Sequence, residues 1–171
     1  RKYKGDKAVV FGQRACFMWS AYIRGMDNLL MDFLVNPDFT NRLLDMVLEL
    51  HIKTALNALN EGADIILLLD DYATNAGPLF SPQIFKDFIQ PRLTKIINVI
   101  HENGGKVIKH SDGNLLPIID MIIQAGVDGI HPIDTIAGMD IGYIKQNYGD
   151  KICVVGNVDC GQLLTFGSEQ E

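Results

Sequence analysis

The stretch with the clearest chemical content is residues 106–113, KVIKHSDG. Val107 and Ile108 read as a short buried strand. It stops at a polar cluster, His110, Ser111, Asp112 and Gly113, and a helical pattern begins at Asn114. Alternate residues of an extended segment point the same way, so His110 and Asp112 can both reach one metal ion. The same pair can instead move a proton, with the carboxylate tuning the imidazole. Two ligands leave a metal site incomplete; Asp70, Asp71, His131, Cys160 or a residue beyond the end of the chain are the candidates to complete it.

The same grammar recurs along the chain. Apolar runs end in Gln13 and Arg14, in Asp70 and Asp71, in His131 and Asp134, and in Asn157 and Asp159. Turns favour Asp and Asn because these side chains bond the local backbone, so Asp112 or Asp159 alone reads equally well as a cap. Polar groups at the end of every apolar run point to a shared crevice: catalytic roles fall to Tyr22, Asp70, Asp71, His110 and Asp112. Substrate contacts fall to Gln13, Arg14, His131, Asp134, Asn157 and Asp159. His51 and His101 sit in helical patterns and read as surface residues. Cys153 reads as core by strand alternation. Cys16, Met18, Trp19 and Tyr22 read as a helix packing face, with Tyr22 at a helix end facing the crevice.

The elements that must position these groups alternate. Strands are predicted at 8–11, 64–69, 128–131 and 151–155, with Val107 and Ile108 forming the short strand of 106–113. Helices are predicted at 15–25, 28–35, 39–60, 81–103, 115–124 and 138–148, the fourth kinked at Pro91. Residues 73–80 read as a loop, and no hairpin is expected. The joints EGADII, NGGKVI, AGVDGI and YGDKIC each place Gly after a helix and an apolar strand after that. This predicts an α/β fold with a parallel sheet and right-handed crossovers. Neither GxGxxG nor GxxxxGK[ST] occurs, which argues against a doubly wound nucleotide binder. A (β/α)8 barrel fits, with about five of its βα units present. The first residues, RKYKGDKAVV, and the last, FGSEQE, both read as cut, so residues 1–171 are expected to be part of one barrel domain lacking N-terminal and C-terminal portions. Exposed sheet edges should then make the isolated piece poorly soluble.

Composition narrows the partners. A net charge of −6 argues against nucleic acid and anionic membrane surfaces. Cys16, Cys153 and Cys160 are too few and too scattered for a disulfide framework, which suggests a reducing, cytoplasmic setting.

The motifs resemble the uroporphyrinogen decarboxylase superfamily, which includes the corrinoid (cobalamin) methyltransferases. AVVFGQ followed by WSAYIRG is similar to the family's first strand and "TYMVEG"-like segment. GADIILLLDD with SPQIFKDFIQPRL resembles its "GAD… SP..F..F..P" block, and GVDGIHPIDTIAGMDIGYIKQNYGDKICVVGNVDC its glycine-rich block ending in GN.D. The resemblance implies a (β/α)8 barrel enzyme. Tyr22 matches a tyrosine of the decarboxylases' active cleft, while Asp70–Asp71 replaces their Glu-Ser pair. Their substrate-holding arginines and pyrrole-binding aspartate lie in a portion outside this chain. In the methyltransferase branch a His-x-Cys motif binds zinc and activates a thiol acceptor. His110 matches that histidine, Asp112 replaces the cysteine, and the next ligand would lie beyond Glu171. Two reactions are therefore implied. One moves a methyl group between a small donor, a partner-bound corrinoid and an acceptor, with zinc as metal. The other decarboxylates a tetrapyrrole in porphyrin biosynthesis with no cofactor. The His-x-Asp motif favours the first. A non-catalytic metal- or ligand-binding relative is the third class.

Overall fold

The computed structural model describes residues 4–170. In chain order its elements are β1 (Val10–Gln13), α1 (Cys16–Arg24), α2 (Met26–Val35), α3 (Pro37–Asn60), β2 (Ile65–Leu69), β3 (Ala73–Thr74) and β4 (Gly77–Pro78). They continue with α4 (Pro82–Ile84), a π-turn (Phe85–Ile89), α5 (Gln90–Glu102), β5 (Lys106–His110), α6 (Ile119–Gln124), β6 (Gly129–His131), α7 (Ile141–Tyr148), β7 (Cys153–Val154) and α8 (Leu163–Phe166). Strands β1, β2, β5, β6 and β7 pair in that order, and every pairing is parallel. This is the expected sheet of a (β/α)8 barrel, in which consecutive strands are neighbours.

Burial alternates along the central strands. Ile66 and Leu68 of β2 and Val107 and Lys109 of β5 are fully buried, whereas Ile65, Leu67, Ile108 and His110 are half-buried. The buried set joins Leu44, Leu48, Ile96, Ile97 and Ile100 of α3 and α5 in one core. One face of the sheet is thus covered by helices and the other forms the barrel's inner side. No described helix is long and apolar enough to cross a membrane.

Several expectations change. Residues 73–80 contain a small antiparallel hairpin, β3–β4, rather than a plain loop. The 81–103 helix is irregular just before Pro91. A π-turn precedes it, with the Gln90 amide donating to the Phe85 carbonyl, and the widened turn makes room for a ring that carries no N–H. The helices expected at 115–124 and 138–148 start later, at Ile119 and at Ile141. Asp140 caps the second through the Tyr143 amide. His51 is buried on α3, not on its surface, and Cys153 is exposed on β7 rather than in the core.

Candidate active site at the carboxyl ends of the strands

Parallel register brings the site together. Leu69 pairs with His110 and His110 with His131, so β2, β5 and β6 end level with one another. The loops leaving them meet at once. Ser111 is buried, and its hydroxyl accepts from the Tyr72 amide at 2.9 Å. The Ser111 amide donates to the His131 carbonyl at 3.1 Å. Gly113 adopts φ +87°, and a Cβ there would lie 2.7 Å from backbone atoms of Ala73 and Thr74. Only glycine lets the His110 loop press this closely on the β3–β4 hairpin.

Asp71, His110 and Asp112 converge, each offering a ligand atom within 4.8 Å of the others. His110 Nε2 lies 3.5 Å from Asp71 Oδ1 and 3.8 Å from Asp112 Oδ1. Asp71 Oδ1 also accepts the Asp112 amide at 3.2 Å. Arg14 stands at the edge, its guanidinium 3.9 Å from Asp71 Oδ2 and donating to the Leu69 carbonyl at 3.2 Å. Burial pushes the His110 imidazole below its ordinary range, opposed by the Asp112 and Asp71 carboxylates and aided by the nearby Lys109 and His131. A neutral imidazole beside two carboxylates is a donor set that suits a divalent cation. The residues fit zinc on that ground, and no cysteine is among the three.

His131 faces His110, with its Nδ1 2.7 Å from the Nδ1 of His110. Asp134 accepts the Gly113 amide at 3.0 Å and the Ile136 amide at 2.9 Å. A cavity of about 560 Å³ opens here, lined by His110, Asp112, His131 and Asp134 and, on its apolar side, by Ile136 and Cys160. This volume suits a small-molecule ligand.

Other sequence candidates lie elsewhere. Asp70 is fully buried below the site; its carboxylate accepts the Phe17 and Met18 amides, both at 2.9 Å, and so caps α1. Gln13 is buried against α3, donating to the His51 carbonyl at 3.0 Å. Asn157 braces the β6–α7 loop by donating to the Ile133 and Met139 carbonyls. Asp159 is occupied by its own turn, accepting the Gly161 and Gln162 amides at 2.9 and 2.8 Å. Tyr22 is exposed on α1 and approaches the site through Arg14, whose guanidinium stacks on its ring at 5.2 Å.

Sequence reasoning missed Lys109. Its ammonium is fully buried, donates to the Asp70 and His110 carbonyls and lies 4.0 Å from the centre of the Tyr72 ring. Burial lowers its pKa to about 8, against the pull of the Asp70 and Asp71 carboxylates. A lysine in the middle of an apolar strand, one position before the histidine, was the available signal.

A parallel sheet with helices on one face, and with carboxylates and imidazoles gathered where its strands end, defines a barrel of the enzyme type. The uroporphyrinogen decarboxylase (URO-D) family model matches residues 1–171, and the chain belongs to that family. It is 30% identical over 137 residues to the uroporphyrinogen decarboxylase of Trichodesmium erythraeum (strain IMS101), covering 78% of this chain and 36% of that protein. It is 29% identical over 130 residues to the methylcobamide:CoM methyltransferase MtaA of Methanosarcina barkeri (strain Fusaro / DSM 804), covering 76% of this chain and 36% of that protein. A solved methyltransferase from Methanosarcina mazei superposes with a TM-score of 0.80 at 24% identity, over 92% of this chain and 44% of its own, and shares the fold. The chain spans roughly a third of the length of these curated relatives, 36% in each case.

Proposed function

We propose that the protein carrying this chain is a methyltransferase-like member of the family, which moves a methyl group between a corrinoid and a small acceptor. The observation that supports this is the Asp71–His110–Asp112 cluster at the mouth of the sheet. The named activity of the Methanosarcina barkeri relative agrees with it. His110 Nε2 and the two carboxylates would hold a divalent ion, with zinc as the natural choice for one imidazole and two oxygen donors. Such an ion supplies Lewis acidity that lowers the pKa of an acceptor's thiol or similar group. Asp71 and Asp112 replace the thiolate of the His-x-Cys pattern while keeping the charge that offsets the cation. Arg14 holds Asp71 from behind. The Ile136 side of the cavity would give the small acceptor an apolar wall. A corrinoid, carried by a partner protein, would approach from the open side of the mouth.

The test is the metal content of the full-length protein beside His110→Ala and Asp112→Ala, with methyl transfer from methylcobalamin to a thiol followed on the same samples. The expected result is about one zinc per chain, lost in both variants together with transfer. Metal-free protein that leaves methylcobalamin untouched would overturn the proposal. The Trichodesmium relative supports a second reading, decarboxylation of a tetrapyrrole polyacid without a cofactor. There Asp71 and Asp112 would stabilise positive charge on a protonated pyrrole as carbon dioxide leaves. Carbon dioxide release from uroporphyrinogen by metal-free protein is the result that would establish it.

A further inference from the structure

His110 has two ring nitrogens with different surroundings. Nε2 faces the carboxylates of Asp71 and Asp112 at 3.5 and 3.8 Å. Nδ1 faces the Nδ1 of His131 at 2.7 Å, with the two ring centroids 5.0 Å apart and the planes inclined by 31°. The pairing comes from the backbone, because His110 and His131 are partners in the β5–β6 register. Two nitrogens this close share a single hydrogen: two N–H groups would collide, and two lone pairs would repel. Each neutral imidazole carries its proton on one nitrogen only, so the tautomers of the two rings are locked to each other. If His110 is to offer the Nε2 lone pair to a cation, its own proton must sit on Nδ1, and an acceptor must wait there. A ligating histidine is ordinarily held by such a bond from its second nitrogen, most often to a carboxylate or carbonyl. Here the group at that position is an imidazole.

We infer that His131 is a positioning residue: with a cation at the Asp71–Asp112 pair it accepts the Nδ1–H of His110 and so leaves the His110 Nε2 lone pair free for the ion. The inference rests on the cation-site reading above. The proton count balances with both rings neutral, since His110 then carries its proton on Nδ1 and His131 carries its own on Nε2. A cation at the carboxylates therefore enters without removing a proton from the pair.

The test compares the full-length protein with two variants. His131→Phe keeps a ring against His110 and removes the acceptor. His131→Asn places an amide oxygen near the position of Nδ1 and keeps the bond. Zinc affinity measured by calorimetry should fall about 10–100-fold in the Phe variant and by less than about threefold in the Asn variant. Equal affinity in wild type and Phe variant overturns the inference. So does loss of zinc in both variants alike, which would make His131 a ligand in its own right. A second readout needs no metal. Long-range proton–nitrogen NMR of the metal-free protein should show each ring in one tautomer, one protonated at Nδ1 and the other at Nε2, and the His131→Phe protein should show His110 as a mixture. Mixed tautomers in the wild type overturn the inference whether or not zinc binds. A wild type that binds no zinc yet shows the locked pair removes the cation-site reading and leaves the pairing of the two rings standing.

Discussion

Asp70 and Asp71 are neighbours in the chain, as are Lys109 and His110, yet each pair is divided between two environments. Asp70 and Lys109 lie below the strand ends, closed off from water, between the first turn of α1 and the Tyr72 ring. Asp71 and His110 lie above them, half-buried and close to Asp112. The lower groups bond backbone atoms of β1–α1, β2 and β5 and tie those elements together. The upper groups set two carboxylates close together around one imidazole, an arrangement that folding alone does not favour. Residue type does not separate the two roles; the side of the strand does.

The sharpest way to break this comparison is to remove one cation from below and one imidazole from above. Lys109→Met should cost about 1–3 kcal/mol, because it leaves the buried carbonyls of Asp70 and His110 without their donor and removes the charge that favours the Asp70 carboxylate. His110→Ala should cost no more than about 1 kcal/mol, as expected at a half-buried position outside the core. Urea unfolding of both proteins measures this, and equal losses would erase the distinction. Zinc affinity should show the reverse order, falling at least about a hundredfold in His110→Ala, since a ligand is worth no less than its outer partner. A smaller loss there would move the chemistry away from His110.

Two effects of pH sharpen the picture further. The pKa of Lys109 is about 8 in the folded protein against an ordinary 10.5. Between those values the unfolded chain holds more protons than the folded one, so stability should rise with pH, by at most about 1.4 kcal/mol per unit. Lys109→Met should lack that rise. The smallest effect concerns His51, whose ring nitrogens have no partner among the described residues and whose pKa burial lowers. Below the ordinary histidine range the unfolded chain takes up a proton that the folded one refuses, and stability is lost as pH falls. His51→Leu should therefore gain about 1 kcal/mol in acid and less at pH 8, read from thermal unfolding at both values. A loss at both would show that His51 is bonded through ordered water.

Four of the five strands were legible because continuous apolar runs, each introduced by Gly after a helix, leave few alternatives. His110 and Asp112 were legible as a pair because they sit two residues apart on one extended segment. Asp71 was one of several candidates to join them, since its place depends on the Leu69–His110 register, which a single sequence does not show. Asp70 is the reverse case. It resembles Asp71 in every local respect, and only the approach of α1 makes it a cap. His51 was within reach: it lies four residues after Val47 and four before Ala55, both buried on the same helix face. Cys153 follows strand alternation, but β7 lies at an edge of the described sheet, where alternation does not guarantee cover. The β3–β4 hairpin has two residues in each strand, too few for any period to register.

The alternation along β5 also bears on how such a protein can change over time. Lys109 is fixed by what it supports, while the residues of the mouth answer mainly to what they bind. A lineage can exchange a carboxylate for a thiolate at position 112, or alter the partner at 131, and test the new chemistry on a scaffold whose folding scarcely registers the change. A single residue inserted into β5 would be the forbidden step, because it would bring the ammonium into the mouth and send the imidazole below.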